Sequence, residues 1–228
     1  MKYKVIDLFS GAGGLSKGFL DAGYDIKLGV DFDEKALLTF SKNHGDTEAL
    51  KLDLFDLNNI NIIKEKFEEK NGKLDVLIGG PPCQGFSLAG KREENDERNK
   101  LYTAMFETAK KLLPRAVVIE NVPGMLTLYD GKVKERIFKD FEELGYSMNV
   151  QILYAPDYGI PQIRKRAFFV GLLNSNKKFK FPEPILKKEE YITCEEAIGD
   201  LPELDGIYGD EVQEYVKKAK TDYQRDMR

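Results

Sequence analysis

Short aliphatic runs alternate with longer amphipathic ones through the first 145 residues. The runs at 4–9, 26–30, 50–52, 76–79 and 116–119 are rich in Val, Ile and Leu and close on Ser, Asp, Gly or Glu, the pattern of buried strands. Between them, 15–22, 33–43 and 62–67 show helical spacing. Leu101, Met105, Phe106, Ala109, Leu112 and Leu113 trace one helical face, and Val133, Ile137, Phe138, Phe141 and Leu144 trace another that Gly145 stops. This alternation predicts parallel strands joined by helical crossovers. After Gly145 the pattern changes, because 150–154 and 167–173 both read as strands and the link between them holds Pro156, Gly159 and Pro161. Parallel neighbours need a longer crossover, so this last pair is expected to be an antiparallel hairpin at one side of the sheet. From Asn174 lysines, Pro182, Pro184 and the charged run 187–190 make a linker, followed by a short helix near Cys194 and an acidic, turn-rich stretch at 205–210. The tail 211–228 places Val212, Tyr215, Val216, Ala219 and Tyr223 on one helical face, which wants something to pack against.

Composition narrows the class. The chain has 228 residues, 42% hydrophobic and 32% charged, enough to bury one good core and too polar for a membrane protein. No apolar run approaches spanning length, and the first twenty residues carry Asp7 and a glycine cluster where a signal peptide needs an apolar core. A cytoplasmic chain is expected, in which Cys83 and Cys194 stay unpaired. Cys194, beside Glu195 and Glu196 at a helix start, reads as structural. The net charge of −4 gives no global nucleic-acid signature. The one dense basic stretch is Arg164-Lys165-Arg166, since Lys91, Arg92, Arg98 and Lys100 are offset by Glu93, Glu94, Asp96 and Glu97. A short charge run is most often a solvated face, so this stretch alone decides nothing.

Candidate chemistry gathers at strand ends. The first strand runs into Ser10-Gly11-Ala12-Gly13-Gly14 before a helix that begins near Leu15, and glycines there let backbone N–H groups approach a carboxylate or phosphate. Asp31 follows Gly11 by twenty residues, where an acidic side chain holds ribose hydroxyls or, equally, caps the helix at 33–43. Cys83 stands in Val-Leu-Ile-Gly-Gly-Pro-Pro-Cys-Gln-Gly-Phe-Ser, residues 76–87. An isolated cysteine is usually a small buried hydrophobe, but a rigid loop of glycines and prolines has little use for a packed thiol, and the nucleophile is the stronger reading. Glu120 ends four apolar residues. The glycine turn, Asp31 with Asp53, the Cys83 loop and Glu120 all sit at carboxyl ends of strands, so a parallel sheet brings a nucleoside-bearing cofactor, a thiol and a carboxylate to one edge.

The segments Asp7-Leu-Phe-Ser-Gly-Ala-Gly-Gly-Leu15, Gly80-Pro-Pro-Cys-Gln-Gly-Phe-Ser87, Glu120-Asn121-Val122 and Gln162-Ile-Arg-Lys-Arg166 resemble, in order and spacing, the motifs of the C5-cytosine DNA methyltransferase family. The resemblance covers 1–173. It implies an α/β S-adenosylmethionine-dependent methyltransferase fold, Rossmann-like, with a mostly parallel sheet and an antiparallel final hairpin. Phe9, Ser10, Gly11, Ala12, Gly13, Gly14 and Leu15 would line the cofactor, Asp31 take its ribose and Phe32 stack on its adenine. Asp53 would face the adenine amino group, and Leu54, Pro82 and Leu101 would complete the pocket. Phe32 and Leu101 also suit a core. Cys83 would add to C6 of a flipped-out cytosine, because C5 is too poor a nucleophile until a thiolate gives it enamine character. Glu120 would offset charge on the ring through N3, Arg166 bond the cytosine O2, and Arg164 steady the thiol loop and the substrate backbone. Gln84 and Ser87 would line the gap left by the flipped base or touch phosphates. The chemistry calls for no metal.

The implied partner is double-stranded DNA, within a restriction-modification system. Family members continue with a target-recognition domain and two further motifs, neither visible after Leu173, so 174–228 resembles a linker and lead-in to that domain. The resemblance therefore implies a piece of a longer enzyme, one chain of a split enzyme with a second chain carrying the rest, or a degenerate copy; the stranded apolar tail favours the first two. A tRNA cytosine-5 methyltransferase and a catalytically silent cofactor-binding partner subunit are the alternatives. Gly85-Phe86-Ser87 looks more like the DNA branch, and intact Cys83, Glu120 and Arg166 argue against silence. A dinucleotide oxidoreductase fits the glycine turn but leaves Cys83 and Glu120 without a task.

Overall fold

The structure is a computed structural model and describes residues 2–82, 101–202, 214 and 217–227. Cys83, Gln84 and Ser87 lie outside the described residues, as do Val212, Tyr215 and Val216 of the expected tail helix. The chain divides into two compact units, Met1–Ile152 with Arg166–Phe181, and Leu153–Lys165 with Pro182–Arg228.

The first unit is built on β1 (Lys4–Leu8), α1 (Gly14–Asp21), β2 (Asp25–Asp31), α2 (Glu34–Asn43), β3 (Glu48–Lys51), α3 (Asn59–Asn71), β4 (Val76–Gly79), α4 (Leu101–Leu112), β5 (Ala116–Asn121) and α5 (Lys132–Glu143). With β6 (Tyr146–Tyr154) and β7 (Lys165–Leu173) the strands form one seven-stranded sheet in the order β3-β2-β1-β4-β5-β7-β6. β1 pairs in parallel with β2 and β4, β2 with β3, and β4 with β5, whereas β7 pairs antiparallel to β5. The expected parallel sheet with an antiparallel hairpin at its edge is what forms. The chain leaves β1 toward β3 on one side and returns through β4 toward β5 on the other, so the carboxyl ends of β1 and β4 flank the topological switch point, where such sheets bind ligands.

Two-residue periodicity sorts the strand side chains onto two faces. Ile6 and Leu8 of β1 join Leu28, Leu77, Ile119, Met105, Phe141 and Phe169 in the larger core. Val5 faces the other way, into a smaller core with Ile26, Phe40, Val76 and Ile78, which Leu15, Phe19 and Leu20 cover. Asp7 shares Val5's face by the same period and is 1% exposed, a carboxyl in a core position.

Local signals set the helix ends. Asp33 caps α2 by accepting from the N–H groups of Lys35 and Ala36. Gly145, at φ 92°, ends the chain run after α5 and donates to the Glu142 carbonyl at 2.9 Å. In the second unit, α6 (Cys194–Ile198) forms where a short helix is expected, with Thr193 and Glu196 as its capping box. The continuous tail helix is a correction. Of the described tail, only α7 (Asp222–Asp226) is helical, and Ala219 precedes it. Thr221 and Gln224 form a capping box that starts a new helix there, and Gln224 rather than Tyr223 is the buried side chain. Gln224 accepts from the Lys220 N–H at 2.6 Å, and the Thr221 hydroxyl donates to the Glu196 carbonyl at 2.7 Å, which ties α7 to α6.

Candidate active site

The turn after β1 is shaped by its backbone. Phe9 adopts φ 58°, uncommon for a bulky residue, and Gly11 and Gly13 follow at 53° and 90°. The Ser10 N–H reaches the Val30 carbonyl at 3.0 Å, and the Gly11 N–H reaches Asp31 Oδ2 at 2.8 Å. Asp31 Oδ1 accepts from the Asp33 N–H at 2.9 Å. Capping of α2 belongs to Asp33, so the second reading of Asp31 as that cap falls away; its two oxygens instead tie the glycine turn to the end of β2. Below the turn, the His44 ring stacks on Phe40 at a centroid distance of 4.2 Å, and a Cβ added at Gly13 would lie 2.2 Å from His44 Cε1.

Above the turn there is room. A Cβ at Gly11 or Gly14 would meet nothing within 4 Å, Ala12 is exposed, and Leu15 is half-buried. Phe32 is 68% exposed on the far side of Asp31, an aromatic face with no core role. Asp53 is exposed, with Oδ1 accepting from the Phe55 N–H at 2.9 Å, while Leu54 and Leu101 are buried and Pro82 is half-buried. Ser10 Oγ is buried without a hydrogen-bond partner among the described residues. An open cradle of N–H groups, a carboxylate at the end of β2 and an exposed aromatic ring beside it fit an adenosine-bearing cofactor such as S-adenosylmethionine.

On the other side of the switch point, Arg166 Nε pairs with Glu120 Oε1 at 2.9 Å, the two side chains 27% and 21% exposed. Strand pairing brings them together: Glu120 faces Phe168 and Asn121 faces Ala167 across β5 and β7, which places Arg166 beside the end of β5. A Cβ at Gly80 would lie 3.4 Å from Glu120 Oε2, so the backbone of the Gly-Pro-Pro turn runs against this carboxylate. Asn121 is 3% exposed; its Nδ2 donates to the Pro81 carbonyl at 2.9 Å and its Oδ1 accepts from the Val122 N–H at 2.9 Å. One side chain thus joins the end of β5 to the turn that precedes Cys83.

Arg164 belongs to the second unit, where its carbonyl accepts from the Ala155 N–H at 2.9 Å and its side chain is exposed. Lys165 lies over the Tyr154 ring at 5.2 Å. Tyr191 donates to Asp157 Oδ1 at 2.5 Å, and that bond pushes its hydroxyl up to about 12. Cys194 is exposed at the start of α6, its thiol 3.4 Å from the Pro161 carbonyl, so it is held by a surface contact rather than by packing. His44 was not singled out in the sequence, and Asp7 and Asn121 stood there only inside quoted segments, without a role. Each had a signal: the one histidine of the chain, an acid at a period-two core position, and a polar residue closing an apolar strand.

Among the described residues no helix is long and apolar enough to cross a membrane. Residues 3–228 match the family model of the C-5 cytosine-specific DNA methylases. The Type II methyltransferase M.DdeI of Desulfomicrobium norvegicum is 38% identical over 230 residues, which cover 98% of this chain and 54% of that protein. The Type II methyltransferase M.AquIA of Picosynechococcus is 35% identical, covering 89% of this chain and 90% of that protein. Among solved structures, one described as a DNA modification methyltransferase encoded within an E. coli prophage superposes with a TM-score of 0.74 at 35% identity, over 89% of this chain and 56% of that one. The chain spans about half the length of most of the curated relatives it matches.

Proposed function

The chain belongs to the C-5 cytosine-specific DNA methylase family, and from that membership we propose that it is the S-adenosylmethionine-binding catalytic part, residues 1–173, of a DNA (cytosine-5-)-methyltransferase in a restriction-modification system. The observation that carries this reading is the Glu120–Arg166 pair set against the Gly-Pro-Pro turn, with Asn121 fixing Pro81 two residues before Cys83.

Ser10 to Leu15, Asp31, Phe32, Asp53, Leu54, Pro82 and Leu101 would hold the cofactor, which supplies an electrophilic methyl carbon on a sulfonium. The Cys83 thiolate adds to C6 of the target cytosine, and the pair of electrons displaced from the 5,6 double bond makes C5 nucleophilic. Glu120 shares a proton with N3 and so offsets the charge that builds on the ring as the thiolate adds. Arg166 orients Glu120 through their ion pair and would bond the cytosine O2. After transfer, loss of the C5 proton and departure of the thiolate restore the aromatic ring. A stacked base cannot reach these groups, so the nucleotide is flipped out, with Gln84 and Ser87 at the gap and Arg164 on the backbone. Residues 174–228 lead toward a target-recognition domain, carried by the same protein or by a second chain.

Duplex DNA containing 5-fluorocytosine tests the reading, because fluorine at C5 blocks the final elimination. The chain, completed where necessary by the missing half, should form an S-adenosylmethionine-dependent adduct on a denaturing gel that disappears in Cys83→Ser, while cofactor affinity stays within about twofold. An adduct with matched RNA and none with DNA would replace the substrate, and an adduct that persists in Cys83→Ser would remove the nucleophile.

A further inference from the structure

Asp7 is the acid in the smaller core, and it stands directly beneath the cofactor turn. Its Oδ2 accepts from the Ser16 hydroxyl at 2.6 Å, a buried bond that joins β1 to the first turns of α1 across the loop Phe9–Gly13. Its Oδ1 is buried with no partner among the described residues, as is Ser10 Oγ in the same turn. Burial pushes the Asp7 carboxyl up to about 7, against the opposing pull of Ser16, and the charge of Asp31 adds to the rise. The elements around it bring few other charges. β2 presents Gly29 in register with Asp7 and Asp31 at its end; β4 presents Ile78 in register; α1 presents Ser16; and His44, at the end of α2, packs beneath Gly13 with Nδ1 on the Phe40 carbonyl. Lys17, the next residue on α1, is engaged with Asp21 at the surface.

We propose that Asp7 is a positioning residue for the cofactor turn, and that its proton is linked to cofactor binding, so that the site takes up the cationic cofactor more readily when Asp7 is ionised. The proposal rests on the assignment of S-adenosylmethionine to this turn. It follows from two features of the geometry. The Asp7–Ser16 bond fixes where α1 begins relative to the end of β1, and Gly11 to Gly14 are stretched between these two points. The carboxyl is also cut off from water, so a charge placed above the turn is poorly screened from it. S-adenosylmethionine carries a net positive charge at neutral pH, whereas its demethylated product, S-adenosylhomocysteine, lacks the sulfonium and is neutral. The methylated cofactor therefore lowers the proton affinity of Asp7 more than the product does.

The sign follows by linkage. If the bound cation favours ionised Asp7, binding releases a proton wherever free Asp7 is protonated, and affinity rises with pH through neutrality. A cofactor that lowers the Asp7 pKa by one unit gains about tenfold in affinity between the acid and alkaline limits. The product gains less. The site thus discharges product relative to cofactor best above neutral pH, a preference set by a residue that touches neither.

Calorimetric titration of the full chain with S-adenosylmethionine and with S-adenosylhomocysteine, from about pH 6 to about pH 8.5 in buffers of different ionisation enthalpy, reads both affinity and proton release. The expected result is a rise in S-adenosylmethionine affinity of about three- to tenfold across this range, proton release that peaks near neutrality, and a flatter profile for the product. Asp7→Asn, which keeps the shape and a partner for Ser16, should bind with an affinity that no longer changes with pH. Ser16→Ala removes the hydroxyl that favours the ionised form and should move the midpoint to higher pH, an effect that loss of packing alone does not produce. A thermal melt of each variant at about pH 6 confirms folding. A flat profile in the parent chain, or a slope that survives in Asp7→Asn and so belongs to another group, would overturn the proposal. Absence of cofactor binding at every pH would instead overturn the assignment of the cofactor itself.

Discussion

Asn121 spends every polar atom of its side chain amide on backbone: one N–H on the Pro81 carbonyl, and the oxygen on the Val122 N–H. Each bond spans a different distance in the chain, forty residues in one case and one in the other. The short bond bends the chain out of β5 after Glu120, and the long one fixes the turn that leads to Cys83. Removing this side chain leaves a buried carbonyl and an N–H without partners, at a cost of roughly 1–3 kcal/mol for each group that water cannot reach. In Asn121→Ala, turnover should fall by about 10²-fold or more, since a nucleophile misplaced by an ångström loses that much. Asp31 and the glycine turn are not involved, and Pro82 is the one proposed cofactor residue in the turn that Asn121 holds, so S-adenosylmethionine affinity measured by calorimetry should fall far less than turnover, by no more than about threefold. An equal loss in both quantities would show that Asn121 supports the fold at large rather than the thiol turn.

At the level of elements, the glycine turn and α2 act as one piece. Asp31 ties Gly11 to Asp33, Asp33 starts α2, and α2 ends on the histidine that fills the space below Gly13. Gly13 meets two demands at once, a φ of 90° and no room for a Cβ. Gly13→Ala should therefore weaken S-adenosylmethionine binding by at least about tenfold and lower stability by roughly 1–3 kcal/mol, read by calorimetry and by denaturant unfolding. His44→Ala should restore part of the affinity in the double variant, because it removes the nearest clash and leaves the strained φ and the Phe40 ring, 2.8 Å from the added Cβ; failure to restore any would place the whole effect in the backbone and Phe40. These couplings show where the sequence is readable and where it is not. The strands could be read because each aliphatic run ends at a residue that changes the chain's direction, and those same ends carry Asp31, Glu120 and the thiol turn. The tail could not. An apolar stripe at helical spacing suggested one helix, but Thr221 and Gln224 supply a stronger local start signal, and the helix begins there. Asp7 and Asn121 were hidden for a different reason: their partners, Ser16 and Pro81, are set by packing, and spacing along the chain does not reveal them.

For the whole molecule, the arrangement of apolar surface matters more than any one contact. In the first unit Phe32 stands beside the cofactor turn with most of its ring in solvent, and in the second Ile163, in the run that ends at Arg166, is 89% exposed. Single exposed apolar side chains are ordinary on a protein surface, so these two gain meaning only from where they stand, one next to Asp31 and the other in the run that leads to Arg166. Of the relatives named above, M.DdeI is about twice the length of this chain and M.AquIA is close to it. If the cofactor sits as proposed on the glycine turn, Asp31 and Phe32, all three belong to the first unit, and its binding should not depend on the second. In the proposed reaction, reading a DNA sequence falls to the target-recognition domain toward which residues 174–228 lead. The chain by itself should therefore bind S-adenosylmethionine while transferring methyl groups to DNA slowly. Addition of the carboxyl-terminal half of a full-length relative such as M.DdeI should raise the rate by at least about tenfold, saturably with its concentration, as mass action requires for a complex. Tritium transfer from labelled cofactor to duplex DNA, measured against the concentration of the added half, gives the answer. Full activity without it would mean that the 228 residues suffice to hold the base. A rate that stays low at saturating cofactor and saturating second half would mean that the absent half is not what limits transfer, and would overturn the prediction.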